Sequence, residues 1–506
     1  MKKLREHENK EHLGDFILPN GELVSGQLRL QNTETKLTLH SERKIKRFSN
    51  SSIFGITSKG LHISLLGCNI SSYIKSGRRE GGANNHMEIF PHYTILGSQH
   101  INEKENTVHS IQFTTSDACE LFDDETAFGI RHTAGELVNE AIKKDGLGDN
   151  ITASENALLM YYTGNHDIFE KETRIGKVKA YHDPIYNFGD STGVYLKNRI
   201  RISITQNEMV DFNAAINNLS DMSAFLSYVG GRIQRVKSIQ ILNGEVTDPS
   251  TRISYVKQSY RWMRGPKISL HSPRHSDLPI SPFKNKQEFE KVLEEWMSKH
   301  PRWRPARVAF LGCIRNANNY SPLRLVAAAD MFDLIPNEDI SLEEFQLSDE
   351  VAAVRKNCID AFKALPNTYE RNSAISSLHR LGHPSLPKKI YQRISVIREN
   401  CHLPLDNLER VAKISVQHRN YLVHGKSEID HDTASKNIAL LTDTLEFIFM
   451  ASDLIECGWN MEDWSTKFHS EGHLISRFLN FYDIESHLLL EEIESKKKSK
   501  SVLPNK

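Results

Sequence analysis

The period of the apolar residues changes once along this chain, and that change limits it to two kinds of architecture in series. Up to about Gln206 apolar and polar residues alternate, as in "GDFILPNGELVSGQLRLQNTETKLTLHSE". Leu28 and Leu30 share one face there and Leu37 and Leu39 another, the period-2 mark of half-buried strands. "IFGITSKGLHISLLGC" places two β-branched runs around Ser-Lys-Gly, which predicts a hairpin. "MEIFPHYTIL", "VHSIQFTT", "GKVKAYHDPIYNF" and "NRIRISITQ" extend the pattern. Two stretches interrupt it: "KSGRREGGANNH" reads as a Gly/Asn loop, and "DETAFGIRHTAGELVNEAIKKDGLGDN" holds a short helix ending at Gly.

From about Glu208 the spacing becomes helical, with Phe212, Ile216, Leu219, Phe225 and Tyr228 in register. "RGPKISLHSPRHSDLPISPFKN" then concentrates Pro, Gly and Ser and reads as a linker. After it come only helical patterns. "KQEFEKVLEEWMSKH" has Phe289, Val292, Leu293 and Trp296 on one stripe, and "SPLRLVAAADMFDLIP" is a buried-looking helix between two Pro. The predicted layout is an α+β multidomain chain. Residues 1–263 form a β-rich region, sandwich or barrel-like with some helices, divisible near 206. Residues 264–285 form the linker, 286–490 an all-α bundle, and 491–506 a basic, frayed tail.

Composition narrows the function classes. Lys+Arg and Asp+Glu are both 64 in 506 residues, so the chain has no global electrostatic grip on nucleic acid and any polyanion site is a local patch. The six Cys never fall within four residues of one another, which excludes zinc-ribbon spacing and does not resemble a disulfide framework. A reduced, cytoplasmic setting follows. No run of eighteen apolar residues suggests a membrane span, and the charged N-terminus lacks the apolar core of a signal peptide. Walker A, Gly-rich dinucleotide and nucleophile-elbow patterns are all absent, so no cofactor is expected.

The stretch "HRNYLVHGK", His418 to Lys426, is where chemistry and context meet. An Arg followed by a His after four to six residues is cheap: chance gives it to roughly one Arg in seven. The chain has four such pairs, Arg5/His12, Arg79/His86, Arg264/His271 and Arg419/His424. The first lies in the polar terminus, the second in the Gly/Asn loop and the third in the linker. Only the fourth ends a long amphipathic helix, which should start after Pro404 with Asp406 in its first turn and stop at Gly425. Leu408, Ala412, Ser415, Arg419 and Leu422 follow one line at i, i+3/i+4 spacing, so Arg419 lies on the packing stripe and needs a partner. Asn420 and His424 share a neighbouring face. An imidazole can take or give a proton near neutrality, an Arg fork can stabilise phosphoryl oxygens, and Asn can hold a hydroxyl or phosphate. The bland alternative is a structural Arg ion pair beside a helix-end His.

The Arg-Asn-x3-His signature at the end of a bundle helix resembles the HEPN ribonuclease superfamily. The whole layout, with "GDFILPNGELVSGQL" near the start and "SIFGITSKGLHISLLGC" after it, resembles the ApeA-type anti-phage abortive-infection proteins. That resemblance implies a HEPN fold for roughly 300–490 and a metal-independent endoribonuclease. Arg419 and His424 would be its catalytic pair, with Asn420 as polar accessory. It also implies an acid on an earlier helix that points at the Arg. Asp330 in "VAAADMFDLIP" is the choice, and Asp333 is the competitor. HEPN domains typically dimerise and bring two motifs into one site, so a homodimer is expected. RNA, tRNA above all, is the implied substrate, and a phage component the implied trigger acting through the N-terminal region. The rival from a different class is a non-catalytic HEPN-type dimerisation module.

Other features favour plain readings. His418 reads as a surface residue. His379 and His383 have i, i+4 spacing, but Gly382 and Pro384 break the helix and no third ligand presents itself, so no metal is expected. "PRWRPAR" reads as a packing Trp303 between solvated Arg302 and Arg304, and "RRE" at 78–80 as a solvated loop.

Overall fold

A computed structural model describes residues 11–31, 35–42, 45–78, 82–146, 151–191, 193–244, 253–259, 272–316, 319–339, 347–382, 384–425 and 430–502. The chain divides into two compact units, 1–297 and 298–506.

The first unit begins with a closed six-stranded barrel. Its strands are β1 (Glu11–Ile17), β2 (Leu23–Arg29), β3 (Lys36–Ser41), β4 (Ser49–Thr57), β5 (His62–Arg78) and β6 (Gly82–Phe90). They pair antiparallel in the ring order β5-β4-β1-β2-β3-β6 and back to β5. The alternation seen in the sequence does the work: Phe16, Val24, Leu28, Leu37, Leu39, Ile53, Ile63, Leu65, Met87 and Ile89 all point inward into one core. The expected hairpin at Ser58–Gly60 joins β4 to β5, with Gly60 at φ 75°.

Closure depends on β5. Along His62–Leu66 one of its edges pairs with β7 (Tyr93–Gly97), and along Asn69–Arg78 it pairs with β6. The switch falls at Gly67, φ 60°, where an added Cβ would come 3.0 Å from the His92 side chain. A left-handed residue with no side chain lets the strand bend out of one sheet and into the other. The Gly/Asn stretch that reads as a loop is therefore mostly the β5–β6 hairpin, with residues 79–81 of its turn outside the described residues. His86 lies in β6 directly opposite His40.

Beyond β7 the sheet continues open, in the order β7-β17-β16-β8-β15-β12-β11. These strands are β8 (Val108–Thr115), β11 (Asp167–Thr173), β12 (Gly176–His182), β15 (Ile200–Val210), β16 (Val236–Asn243) and β17 (Ile253–Gln258). Two hairpins, β9 (Phe128–Arg131) with β10 (Leu159–Tyr162) and β13 (Ile185–Asp190) with β14 (Gly193–Lys197), stand apart from it. Strand β15 spans the expected division near Gln206, and its pairing with β8 shifts register between Thr205 and Val210. The change of architecture inside the β-rich region comes where the barrel gives way to the open sheet, between β6 and β7.

Two short helices, α1 (Ala118–Leu121) and α2 (Gly135–Lys144), precede α3 (Phe212–Val229). Helix α3 starts at Asp211, whose carboxylate accepts from the Ala214 N–H at 2.7 Å, and it packs on β8 and β15. Helix α4 (Lys286–Arg315) follows. Its Phe289 packs between Phe122, Phe169 and Phe225, and its Trp296 meets Phe225 and Tyr228 edge-on.

Helix α4 runs beyond the amphipathic stretch that ends at His300 and continues through Pro301 and Pro305. A proline in a helix frees the carbonyl four residues earlier. For Pro301 that is the carbonyl of Met297, and the Arg174 guanidinium donates to it at 3.1 Å. Within the expected linker, residues 264–271 lie outside the described residues. From 272 the chain forms a short turn, His275–Asp277, and buries Leu278 and Ile280.

The second unit is helical: α5 (Pro322–Asp333), α6 (Asp349–Lys363), α7 (Tyr369–Arg380), α8 (Leu386–Asn400), α9 (Leu408–His424), α10 (His431–Lys436), α11 (Ile438–Glu456), α12 (Met461–Ser465) and α13 (Leu474–Val502). Helix α11 is its buried axis, packed by α5, α8, α9 and α13. An axis of this kind would be purely apolar in a simple bundle, but α11 carries carboxylates. Asp453 takes both arms of Arg307, each at 2.8 Å, and Glu446 takes both arms of Arg324, again at 2.8 Å. Arg393 reaches Glu456 at 2.6 Å and Ser452 at 2.9 Å. Bidentate pairing of this kind is what allows such charges to be buried. Trp303 is wholly buried, with its indole N–H on Asp339 at 2.7 Å, so the packing reading of "PRWRPAR" holds, although Arg302 also meets Asp339.

Of the expected tail, residues 491–502 lie in the last turns of α13, where Lys496 is 2.7 Å from Asp430 and 3.1 Å from Glu492.

Candidate functional site

Helix α9 begins at Leu408, one turn later than Asp406 suggests, and runs to His424. Leu408, Ala412 and Ser415 are buried as the stripe requires, and Ser415 also donates to the Leu441 carbonyl of α11 at 3.1 Å. Gly425 ends the helix at φ 70°, its N–H on the Tyr421 carbonyl at 2.8 Å. The stripe thus brings Arg419 against α5. That helix is fixed by Ser321, which accepts from the Arg324 N–H at 3.3 Å, and by Pro322 in its first turn.

Arg419 Nη2 donates to Asp330 at 2.6 Å, and Nη1 donates to the Asn420 side-chain oxygen at 3.2 Å. Its Nε is buried and has no hydrogen-bond partner among the described residues. Of the two candidate acids, Asp330 is the one in contact with the guanidinium. Asp333 lies one turn on, with the Lys389 ammonium 3.9 Å from its carboxylate and 3.2 Å from its carbonyl. Burial, with a smaller push from Asp330, raises the Asp333 carboxyl above its ordinary range, against the opposing pull of Lys389 and Arg419.

His424 is exposed at the last turn of α9. Asn420, four residues earlier on the same face, is half-buried. The structure therefore joins Asp330, Arg419 and Asn420 by hydrogen bonds and sets His424 one turn away in open solvent.

The surface reading of His418 is corrected. It is buried, with its ring parallel to that of Tyr421 at 6.3 Å and 5.3 Å from that of His431 at the start of α10. Burial, and then the neighbouring His431, hold its pKa below the usual imidazole value. Tyr421 and His431 themselves approach to 4.3 Å. Sequence reasoning passed over both, and only the aromatic inside the motif hinted at them. His383 of the weighed zinc pair lies outside the described residues. Among those residues no group of three or more His, Cys, Asp or Glu is arranged to hold a metal ion, and no helix is long and apolar enough to cross a membrane.

Comparison with protein families agrees with this layout. Residues 323–463, from the start of α5 past the motif, match the family model described as Apea-like HEPN. The fold thus defines a β-rich protein with a C-terminal HEPN domain. Residues 11–296, more than half of the chain, match the model described as ApeA N-terminal domain 1, and the chain belongs to the ApeA family. No curated protein and no solved structure matches it.

Proposed function

We propose that this protein is an anti-phage endoribonuclease that cleaves RNA without a metal at the end of α9. Membership of the ApeA family supports the defence role, and the Apea-like HEPN match supports the nuclease class. The observation that carries the site is Arg419, aimed by Asp330 and Asn420, with His424 one turn beyond it.

In the reaction the ribose 2′-oxygen attacks the adjacent phosphorus and its bond to the 5′-oxygen breaks. A neutral imidazole accepts the 2′-hydroxyl proton, and a protonated one delivers a proton to the departing 5′-oxygen. The products are a 2′,3′-cyclic phosphate and a 5′-hydroxyl. Arg419 stabilises the phosphoryl oxygens as charge builds on them, and Asp330 keeps the guanidinium in one orientation. A second copy of the chain supplies the second imidazole, so the working unit is a homodimer with two motifs around one phosphate. The N-terminal unit restrains the nuclease until a phage component releases it, and tRNA is the target in the cell.

The test uses the full chain with tRNA in EDTA, comparing wild type with Arg419→Ala and His424→Ala after checking fold and oligomeric state. Wild-type cuts ending in cyclic phosphate, lost in both variants, support the site. Cleavage unchanged in either variant sinks it. If purified wild type is silent without its trigger, the comparison moves to infected cells, where His424→Ala must lose protection.

A further inference from the structure

Three side chains beside the proposed site have no role in the chemistry above: His418, Tyr421 and His431. Tyr421 precedes His424 by three residues, which puts the two on one helix face. Helical side chains lean toward the N-terminus, so the His424 imidazole lies over the turn that carries Tyr421.

Tyr421 and His431 are half-buried, with ring centroids 4.3 Å apart and planes tilted by 39°. Behind them His418 lies parallel to Tyr421 within 8°. It is buried, and its Nε2 has no hydrogen-bond partner among the described residues. A polar ring stacked there without satisfying its own nitrogen does not serve stability, because an unpaired buried polar atom is a cost. What the three rings do provide is an aromatic cluster, with Tyr421 and His431 partly exposed and the buried His418 imidazole behind them.

The second observation comes from the basic end of α13. Lys496 is fixed beside Asp430, the residue directly before His431, and also lies 2.6 Å from the Thr433 hydroxyl. The next two residues of that helix, Lys497 and Lys498, are exposed. Cations near partly exposed rings are the means by which proteins hold single-stranded nucleic acid: the cations follow the backbone and the bases stack. In a chain whose charges balance, such a patch has to be local.

We propose that Tyr421 and His431 form a stacking ledge for the nucleobase next to the scissile phosphate, and that the lysines at the end of α13 guide a single RNA strand onto it. The inference rests on the nuclease reading and adds a substrate class to it: unpaired RNA, presented with one base turned out onto the ledge. Tyr421 and His431 are positioning residues, and the proton chemistry stays with His424.

The experiment measures binding apart from cleavage. Full-length His424→Ala is titrated with fluorescein-labelled oligoadenylate of eight nucleotides and with an abasic ribose-phosphate octamer. Tyr421→Ala and His431→Ala, added singly, should each weaken oligoadenylate binding about five- to a hundredfold, the span of one base–aromatic stack, and leave the abasic octamer unaffected. His431→Phe should restore binding, since stacking needs the ring and not its nitrogens. Lys497→Ala with Lys498→Ala should weaken both octamers alike and flatten the salt dependence. Two results overturn the ledge: ring deletions that weaken both octamers equally or neither, and a parent that binds no octamer. His431 is the first residue of α10 and half exposed, so its variants test the idea even if Tyr421→Ala unfolds. The two readings fail separately. Cleavage that survives Arg419→Ala removes the active site, whereas cleavage lost there with normal oligoadenylate binding in the ring variants removes only the ledge.

Discussion

The helical unit uses the arginine–carboxylate pair in two different ways. Around α11 the pairs are closed. Arg307 and Asp453 are both fully buried, and the guanidinium grips both carboxylate oxygens. Arg324 and Glu446 are built alike, and Arg324 also lies over the Tyr320 ring at 4.5 Å. At the end of α9 the pair is open. Arg419 is 17% exposed and Asp330 44%, one arm reaches the acid, another reaches Asn420, and Nε has no hydrogen-bond partner among the described residues. In a closed pair both carboxylate oxygens are taken and the remaining guanidinium N–H groups turn to other protein groups, as Arg324 Nη1 does to the Asn316 carbonyl at 3.0 Å. The open pair holds an arginine in position and leaves it able to receive an anion. The contrast separates arginines that hold the bundle together from one that can work.

That contrast can be broken at several points. The largest effect belongs to the closed class. Arg307→Ala strands a buried carboxylate and should cost roughly 3–5 kcal/mol of stability, whereas Arg307→Met with Asp453→Leu should recover much of it. Chemical denaturation of both variants decides this. Arg419→Ala should behave oppositely: about 1 kcal/mol or less in stability, since its partner is solvated, but roughly a hundred- to a thousandfold in cleavage. If Arg419→Ala unfolds the protein as Arg307→Ala does, the two classes are one.

Asp330→Asn keeps a hydrogen bond and loses the charge, so a fall in cleavage rate of roughly tenfold is expected, with Arg419→Lys at least as damaging because one ammonium cannot serve both Asp330 and Asn420. Gly425→Ala puts a side chain at φ 70° in otherwise open space, so its cost is conformational, about 1 kcal/mol by thermal denaturation.

The smallest effect is a pH slope. His418 is held neutral in the folded state, while in the unfolded chain it titrates near 6.5. Below that pH the unfolded chain binds a proton that the folded one resists. Folding is therefore free of this proton-linked penalty above about 6.5 and bears it increasingly as pH falls through that value. Melting temperatures between pH 7.5 and 5.5 should fall less in His418→Phe than in wild type. The His431→Ala control separates the contribution of the neighbouring imidazole, which lowers the His418 pKa alongside burial.

How much of this the sequence carries depends on how local each determinant is. The Arg419 placement was legible because it depends on one helix's period, and that period continues through Leu408, Ala412 and Ser415. The choice of Asp330 came from the family resemblance, and the geometry gives it the contact. His418 was misread because its neighbour His431 belongs to the next helix, and nothing in the α9 pattern announces a ring packed on it from outside. The course of α4 through Pro301 has no local sign for a similar reason: the donor that compensates the proline is Arg174, more than a hundred residues away. Individual strands of the barrel were legible from alternation. Its closure was not, because the residues that effect it, Gly67 and the β5–β6 hairpin, look like a loop to any local rule.

The double membership of β5 has a consequence for how the first unit comes apart. The strand's first half is a stave of the open sheet and its second half a stave of the barrel, and β4 borders it across the junction. Neither sheet has a private edge at which to begin fraying from the other. Hydrogen exchange should accordingly find the amides of His62–Leu66 and of Asn69–Ile74 opening together as one foldon, although they face different partners. A one-residue slip in β5 would turn two hydrophobic faces outward at once, so the register of the barrel is kept in part by the sheet beside it.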